Sequence, residues 1–497
     1  MYLIGYDIGS SSIKAALVDA RNGETVGVAQ HPDREMAIEA PQPGWAEQDP
    51  GDWWDYVCRA TQKLLRQTEV DPLAIRSAGI AYQMHGLVLI DENRQVLRPS
   101  IIWCDSRAVD VGRKALKHIG RERALKHLLN SPGNFTASKL RWVRENEPGV
   151  YKKIFKMMLP GDYIAMRLTG EINTTISGLS EGVLWDFKEN DIAGIVLEQY
   201  DIDRALLPDV VPTFSNQGTL TDEAARATGL PAGIPVGYRA GDQPNNALAL
   251  NALEPGEVAA TGGTSGVVYA VTDQPLYDDR SRVNGFAHVN YRQESPRIGV
   301  LMCINGAGIQ YSWLKHHAMP SDLSYPAMEK LAAEAPVGAE GLAILPFGNG
   351  AERILENRDI GGHLHGLNFN RHQRSHLTRA ALEGVAFAFA YGIEILKNMG
   401  LDIDIMRVGN DNLFQSEVFS TTVATLAGCR IEMMEATGAV GAARGAGVGA
   451  GLYESLADAF REMKLIDTYA PAADPAPYRE AYHQWSHRLE SVMKQAG

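Results

Sequence analysis

Asp7 stands at the end of an apolar run and just before a small polar turn, Gly9-Ser10-Ser11-Ser12. A carboxylate in that place has two uses. It can cap the turn, or it can hold a hydrated Mg2+ beside phosphate oxygens. Glycine lets a backbone approach a ligand closely, and successive N–H groups with hydroxyls can surround a phosphate. Lys14 lies just beyond the turn and adds positive charge. A second turn of this kind, Gly263-Thr264-Ser265-Gly266, occurs about half the chain later, with Thr261 where the first copy has Asp7. One such turn alone reads as structural. Two in equivalent places favour a ligand clasped between them, with the metal carboxylate on one side only.

Asp242 lies where the run from Val236 meets a helix start at Pro244. Ligands of α/β folds bind at the carboxyl ends of strands, so Asp242 suits a general base. As a helix N-cap it would be ordinary local chemistry. Gln83-Met84-His85-Gly86 interrupts two β-rich runs with polar groups. His85 either donates to a sugar hydroxyl or is a satisfied structural residue. Trp103-Cys104-Asp105-Ser106-Arg107 follows at the next strand end. Trp103 suits stacking on a sugar face, whereas Asp105 and Arg107 suit local capping and pairing. No GxxxxGK[ST] occurs, and Gly445, Gly447, Gly449 and Gly451 do not spell GxGxxG after a strand. P-loop and dinucleotide readings therefore lack support.

The elements that must position these groups are mixed α and β. Residues 4–19 and 258–273 match as strand, tight turn and strand, with Gly9 on Gly263, Ser10 on Thr264, Ser11 on Ser265 and Asp19 on Asp273. Two matched hairpins at that distance predict a duplicated domain. Strands are expected over 77–82 and 87–90, with a turn at 92–94. Helices are expected over 105–119 with Asp105 as N-cap, over 377–396 in the core, and over 478–494 at the surface. The Gly- and Ala-rich stretch 436–452 predicts a helix packed very closely on its neighbours. The junction falls near 243–257, giving domains 1–246 and 247–497.

Composition narrows the partners. The 497 residues include 47 Lys and Arg against 60 Asp and Glu, a formal net charge of −13. Such a surface repels phosphate backbones and anionic lipid, so no nucleic-acid or membrane partner is expected. No apolar stretch reaches the 18 or so residues of a span. Cys58, Cys104, Cys303 and Cys429 are scattered with no CxxC pair, so neither a disulfide framework nor a zinc site is indicated. With no basic, apolar leader before Asp7, a cytoplasmic protein is expected.

In its motifs the chain resembles the FGGY carbohydrate kinases, from Asp7 to about Tyr453. The pieces are GYDIGSSSIKAALVD, WAEQDPGDWW, AGIAYQMHG, IIWCDSRA, NFTASKLRWV, LPGDYIAMRLTGE, AGDQPNN, TGGTSGVVYAV and GLNFNRHQRSHLTRAALEGVAF, in the family's order. The resemblance implies two ribonuclease-H-like domains of the actin, Hsp70 and hexokinase type closing on a cleft. It implies ATP and Mg2+ as cofactors, a ketopentose as small-molecule partner, and admits a homodimer. By resemblance Asp242 is the catalytic base and Asp7 lies at the metal. Gln83, Met84, His85, Trp103 and Asp105 would line the sugar site. Ser10, Ser11, Ser12, Lys14, Gly263, Thr264 and Ser265 would hold phosphates. Gly306 and Gln310 would face the nucleotide, with Gly409 and Asn410 under the adenosine. The chain departs from the family at Gly409-Asn410-Asp411, at Ala351-Glu352-Arg353-Ile354-Leu355, at Asn134, and in Gly241-Asp242-Gln243.

Overall fold

The computed structural model describes residues 1–410 and 412–495. Asp411, part of the altered turn, lies outside the described residues. In the first half, β1 (Tyr2–Ile8), β2 (Ile13–Asp19), β3 (Thr25–His31), β4 (Ile75–Tyr82) and β5 (Val236–Gly241) form a five-stranded sheet ordered β5-β4-β1-β2-β3. β1 to β3 are an antiparallel meander, while β4 joins β1 and β5 joins β4 in parallel. The second half holds β6 (Glu257–Gly262), β7 (Gly266–Thr272), β8 (Asn284–Ala287), β9 (Ile298–Ile304), β10 (Ile405–Gly409), β11 (Arg430–Met434) and β12 (Leu465–Tyr469). They form a seven-stranded sheet ordered β8-β9-β7-β6-β10-β11-β12. Its middle, β9-β7-β6-β10-β11, repeats the meander and the two parallel additions of the first sheet.

The duplication signalled by two hairpins thus runs through both sheets, with one correction of register. Ile8 pairs Ile13 in the first hairpin, but Gly262 pairs Gly266 in the second. The second turn is one residue shorter, so the match slips beyond it and Asp19 corresponds to Thr272 rather than Asp273.

The helices place the remaining chemistry. α1 (Pro50–Thr68) starts at Asp49, which accepts from the Gly51 N–H, and it buries Trp53, Val57 and Leu64. α2 (Thr136–Asn146), α3 (Ile176–Glu181) and α4 (Asp242–Ala249) follow in the first half. α5 (Gly308–His317), α6 (Tyr325–Glu334) and the long buried α7 (Arg374–Asn398) belong to the second. α8 (Gly438–Gly449) is the expected close-packed helix, and it crosses back onto β1, β4 and β5 of the first sheet. A β-carbon on Gly5 would stand 1.9 Å from the Ala439 carbonyl oxygen, and one on Gly79 2.0 Å from that of Ala442. Only glycine strands allow this approach.

One expected helix changes. The segment 105–119 is helical only over Val109–Ile119, and Ala108 rather than Asp105 stands at the N-cap. Asp105 is fully buried and turned to other partners, described below. Among the described residues no helix is long and apolar enough to cross a membrane.

Candidate active site

The parallel strand ends of the first sheet gather the acidic groups. Gly241, not Asp242, occupies the N-cap of α4, and no side-chain cap bond forms there. The Asp242 carboxyl is therefore free of the N-cap role. Burial, and next the charge of Asp7, push it up to about 7, against opposing hydrogen bonds from Gln243. Asp7, at the end of β1, sits opposite Lys14 on β2. Burial raises its carboxyl and Lys14 opposes the shift. The first residue of α8 closes this corner. Asn245 of α4 donates its side-chain amide to the Gly438 carbonyl at 2.9 Å. A β-carbon on Gly438 would stand 2.9 Å from Asp7 Oδ2.

The 83–85 segment continues β4 into the same region. Gln83 is buried; its N–H donates to the Ile8 carbonyl at 2.8 Å and its amide to Gln48 Oε1 at 3.2 Å. Gln48 donates in turn to the Ser10 carbonyl at 2.7 Å. One glutamine thus links the first turn to the 83–85 segment. Trp103 is 53% exposed and its indole N–H donates to Ser10 Oγ at 3.3 Å. Met84 is buried against Gly241. His85 Nδ1 lies 2.8 Å from the Glu181 carbonyl oxygen. A carbonyl only accepts, so Nδ1 carries the hydrogen and Nε2 is left as an acceptor. Burial depresses the imidazole to about 3, so it stays neutral. Nε2 is therefore an acceptor, not the donor that one of the two sequence readings of His85 makes it.

Asp105 does not join this group. Its Oδ2 accepts from the Ala46 N–H at 2.6 Å, and both oxygens take the Arg107 guanidinium at 2.7–3.0 Å. That guanidinium stacks 3.7 Å from the Trp45 ring centroid. Three residues outside the sequence-based set do join it: Gln48, Lys139 and Glu181. Lys139 and Gln48 sit within family segments quoted above, but a motif does not say which member points inward. Glu181 is a lone acid within the otherwise uncharged 173–185, which was its available signal. It is fully buried, and burial followed by Asp242 pushes it well above the usual carboxylate range.

The second turn opens on a cavity of about 740 Å³, lined by Gly263, Thr264, Gly308, Tyr311, Tyr325 and Gln415 among others. The first N–H groups of α5 donate to the turn's own carbonyls, Gly308 to Gly263 at 3.0 Å and Ile309 to Thr264 at 3.1 Å. Ser265 is half-buried and Thr264 exposed. Glu352 holds the neighbouring turn by accepting the Asn305 and Gly306 N–H groups, each at 3.0 Å. Gln310 is half-buried, with Oε1 unpartnered. Gln415 donates to the Asn410 carbonyl at 3.2 Å, which brings Gly409-Asn410 to the cavity's edge. On the first turn Ser11 and Lys14 are exposed, while Ser10 and Ser12 are half-buried.

The duplicated meander-plus-parallel sheet is the actin- and hexokinase-like fold, and the carboxylates at its strand ends and the cavity beside the second turn are the site it carries. Residues 2–249 match the FGGY family of carbohydrate kinases, N-terminal domain, and 258–450 match the C-terminal domain. The chain is 30% identical to the xylulose kinase of Escherichia coli (strain K12), over 99% of each chain. The crystal structure of xylulose kinase from Rhodospirillum rubrum superposes with a TM-score of 0.88 at 28% identity, covering 99% of each chain. Plasmodium falciparum glycerol kinase with ADP shares the fold at a TM-score of 0.88 and 19% identity, covering 99% of this chain and 98% of that one. The chain belongs to the FGGY family of carbohydrate kinases and is an enzyme of that class.

Proposed function

We propose that this enzyme transfers the γ-phosphoryl group of ATP to the terminal hydroxyl of D-xylulose, giving D-xylulose 5-phosphate and ADP. The observation that carries the chemistry is Asp242, a carboxyl at the β5–α4 corner that does not cap its helix and is pushed up to about 7. Support for the sugar comes from the xylulose kinases of E. coli and R. rubrum, which match over nearly the whole chain.

In this reading Asp242 accepts the hydroxyl proton as that oxygen attacks the γ-phosphorus in line and the bond to ADP breaks. A base at hydrogen-bond distance contributes about 10²- to 10⁴-fold. Gln83, Met84, His85 and Trp103 form the sugar side in domain 1–246. His85 Nε2 accepts a sugar hydroxyl and Trp103 covers the sugar face. Domain 247–497 takes the nucleotide in the cavity beside Gly263-Thr264-Ser265, with Gly306 and Gln310 near it and Gly409-Asn410 under the adenosine. Phosphoryl transfer needs positioning and charge neutralisation more than covalent chemistry. The N–H groups and hydroxyls of both turns, with Lys14, supply part of it. Asp7 would hold Mg2+ through water, and the missing β-carbon of Gly438 leaves its Oδ2 clear for that. Bound there, the ion neutralises phosphate charge. The enzyme would work in the cytoplasm, where its co-substrate is available.

The test is sugar-dependent ADP release with Mg·ATP across D-xylulose, L-xylulose, D- and L-ribulose, glycerol and gluconate, with Asp242→Asn alongside. A kcat/KM preference for D-xylulose that the substitution abolishes is expected. The Gly241-Asp242-Gln243 segment, glycerol-kinase-like in sequence, favours a second reading in which another polyol or ketose is the acceptor. Preference for a different compound, still lost in Asp242→Asn, would select that reading. Full turnover in Asp242→Asn would sink the base assignment.

A further inference from the structure

His85 has a backbone φ of 63°, the left-handed region that a side chain disfavours. Such a residue persists where its surroundings over-determine it. Two buried ionisable residues do so here. Lys139 Nζ, from α2, donates to the His85 carbonyl at 2.8 Å and to the Ile102 carbonyl at 2.9 Å. Glu181, at the end of α3, takes the ring Nδ1–H on its main-chain carbonyl at 2.8 Å, and its side-chain Oε1 faces the His85 backbone N–H at 3.4 Å. Both residues are wholly inaccessible to solvent.

Burying polar groups of this kind costs free energy unless hydrogen bonds compensate, so their placement on one peptide calls for a role. Glu181 Oε2 has no hydrogen-bond partner and points at the Gly241 backbone, where a β-carbon would be 2.2 Å away. The side chain therefore spans from the 83–85 segment to the residue before Asp242. Phe135 and Phe286 pack on the His85 ring at centroid distances of 4.8 and 5.5 Å, the second coming from the other half of the chain. Ser177 and Ser180 of α3 bond to Ala287 at 3.0 and 2.9 Å, so α3 is anchored on β8.

We propose that Lys139 and Glu181 form a buried clamp that positions His85, holding its peptide left-handed and its ring with Nε2 presented as an acceptor to the sugar. The clamp rests on the reading of 83–85 as the sugar side. Lys139 and Glu181 are positioning residues, because they act through His85.

Lys139→Met, Glu181→Leu and Glu181→Gln test it, each alone and combined with His85→Ala. The first measurement is NMR of ring-labelled histidine in the full chain without substrate, with the His85 signal assigned by its loss in His85→Ala. The wild-type signal is expected to show the Nδ1–H tautomer and no titration between about pH 6 and 8. Lys139→Met and Glu181→Leu shift it toward a mixture of tautomers. Glu181→Gln leaves it in place, since its amide oxygen still accepts the His85 backbone N–H and so keeps the ring seated on the main-chain carbonyl of residue 181. The second measurement is kinetic, with the best acceptor of the panel. The two disruptive variants lose about 100-fold in kcat/KM, through acceptor KM, while the KM for ATP holds within about twofold. Added to His85→Ala, they cost nothing further.

An unmoved His85 signal in both disruptive variants overturns the clamp, as do kinetic losses that add in full to those of His85→Ala. If no compound of the panel is phosphorylated, the sugar reading has failed and the histidine spectrum alone decides the clamp. Glu181→Leu keeps the test open should Lys139→Met not fold.

Discussion

Asp7 and Gly438 face each other, so that the first residue of a helix from the second half of the chain leaves a carboxylate of the first clear only because it has no side chain. A β-carbon on Gly438 would lie 2.9 Å from Asp7 Oδ2, closer than real β-carbons come. Gly438→Ala should leave the fold intact, because a short side chain can swing aside more cheaply than backbone. It should lower kcat/KM about tenfold or more by moving the carboxylate proposed to hold the metal. Wild-type kinetics in this variant would remove Asp7 from the mechanism.

Gly79→Ala is the contrasting case. Its β-carbon would meet the Ala442 carbonyl oxygen at 2.0 Å, which is backbone of α8 and cannot swing. A loss of about 3 kcal/mol or more, at the top of the overpacking range, should appear in denaturant unfolding. Little change there would mean that α8 is not seated on β4 as described.

The pH dependence follows from Asp242. In the proposed mechanism its acting form is the carboxylate, so kcat/KM should rise with pH through a midpoint near 7 and flatten above it. Stability runs the other way. The folded value lies above the ordinary 3.8, so its favourable contribution is complete below 3.8 and is lost as pH climbs through about 7. Asp242→Asn should flatten that part of the stability profile. An unchanged slope in the variant would contradict the raised carboxyl.

Asp105→Asn separates two roles. Asp105 and Arg107 are a buried pair, with side chains 0% and 1% exposed. Arg107 keeps a second partner in Glu47 at 2.7 Å, so losing the Asp105 charge costs about 1–3 kcal/mol, the range for a buried hydrogen-bonded group left short of a partner. Unfolding should therefore come markedly earlier, with acceptor KM close to normal at low temperature. A raised KM at undiminished stability would instead make Asp105 a sugar ligand.

Glu352→Gln addresses the proposed nucleotide side. The carboxylate accepts two N–H groups, and the amide has a single acceptor oxygen. Leaving one buried N–H unpaired costs about 1–3 kcal/mol, so the KM for ATP should rise about tenfold while that for the sugar stays put. An unaltered KM for ATP would detach the 305–306 turn from the nucleotide.

Much of this enzyme was legible in its residues. Apolar runs broken by Gly, Ser and Thr wrote both hairpins, since strand pairing and turn geometry are decided within a few residues. The Gly and Ala content of α8 announced close packing because only small residues permit it. What those residues could not state is the partner. That α8 lies on the first sheet, that Asp105 faces Arg107 rather than the site, and that Glu181 stands behind His85 and Asp242 depend on segments far apart in the chain. Whether a carboxyl caps a turn, pairs with a cation or waits for substrate is set by the dielectric and the donors around it. Only the packed tertiary structure supplies those.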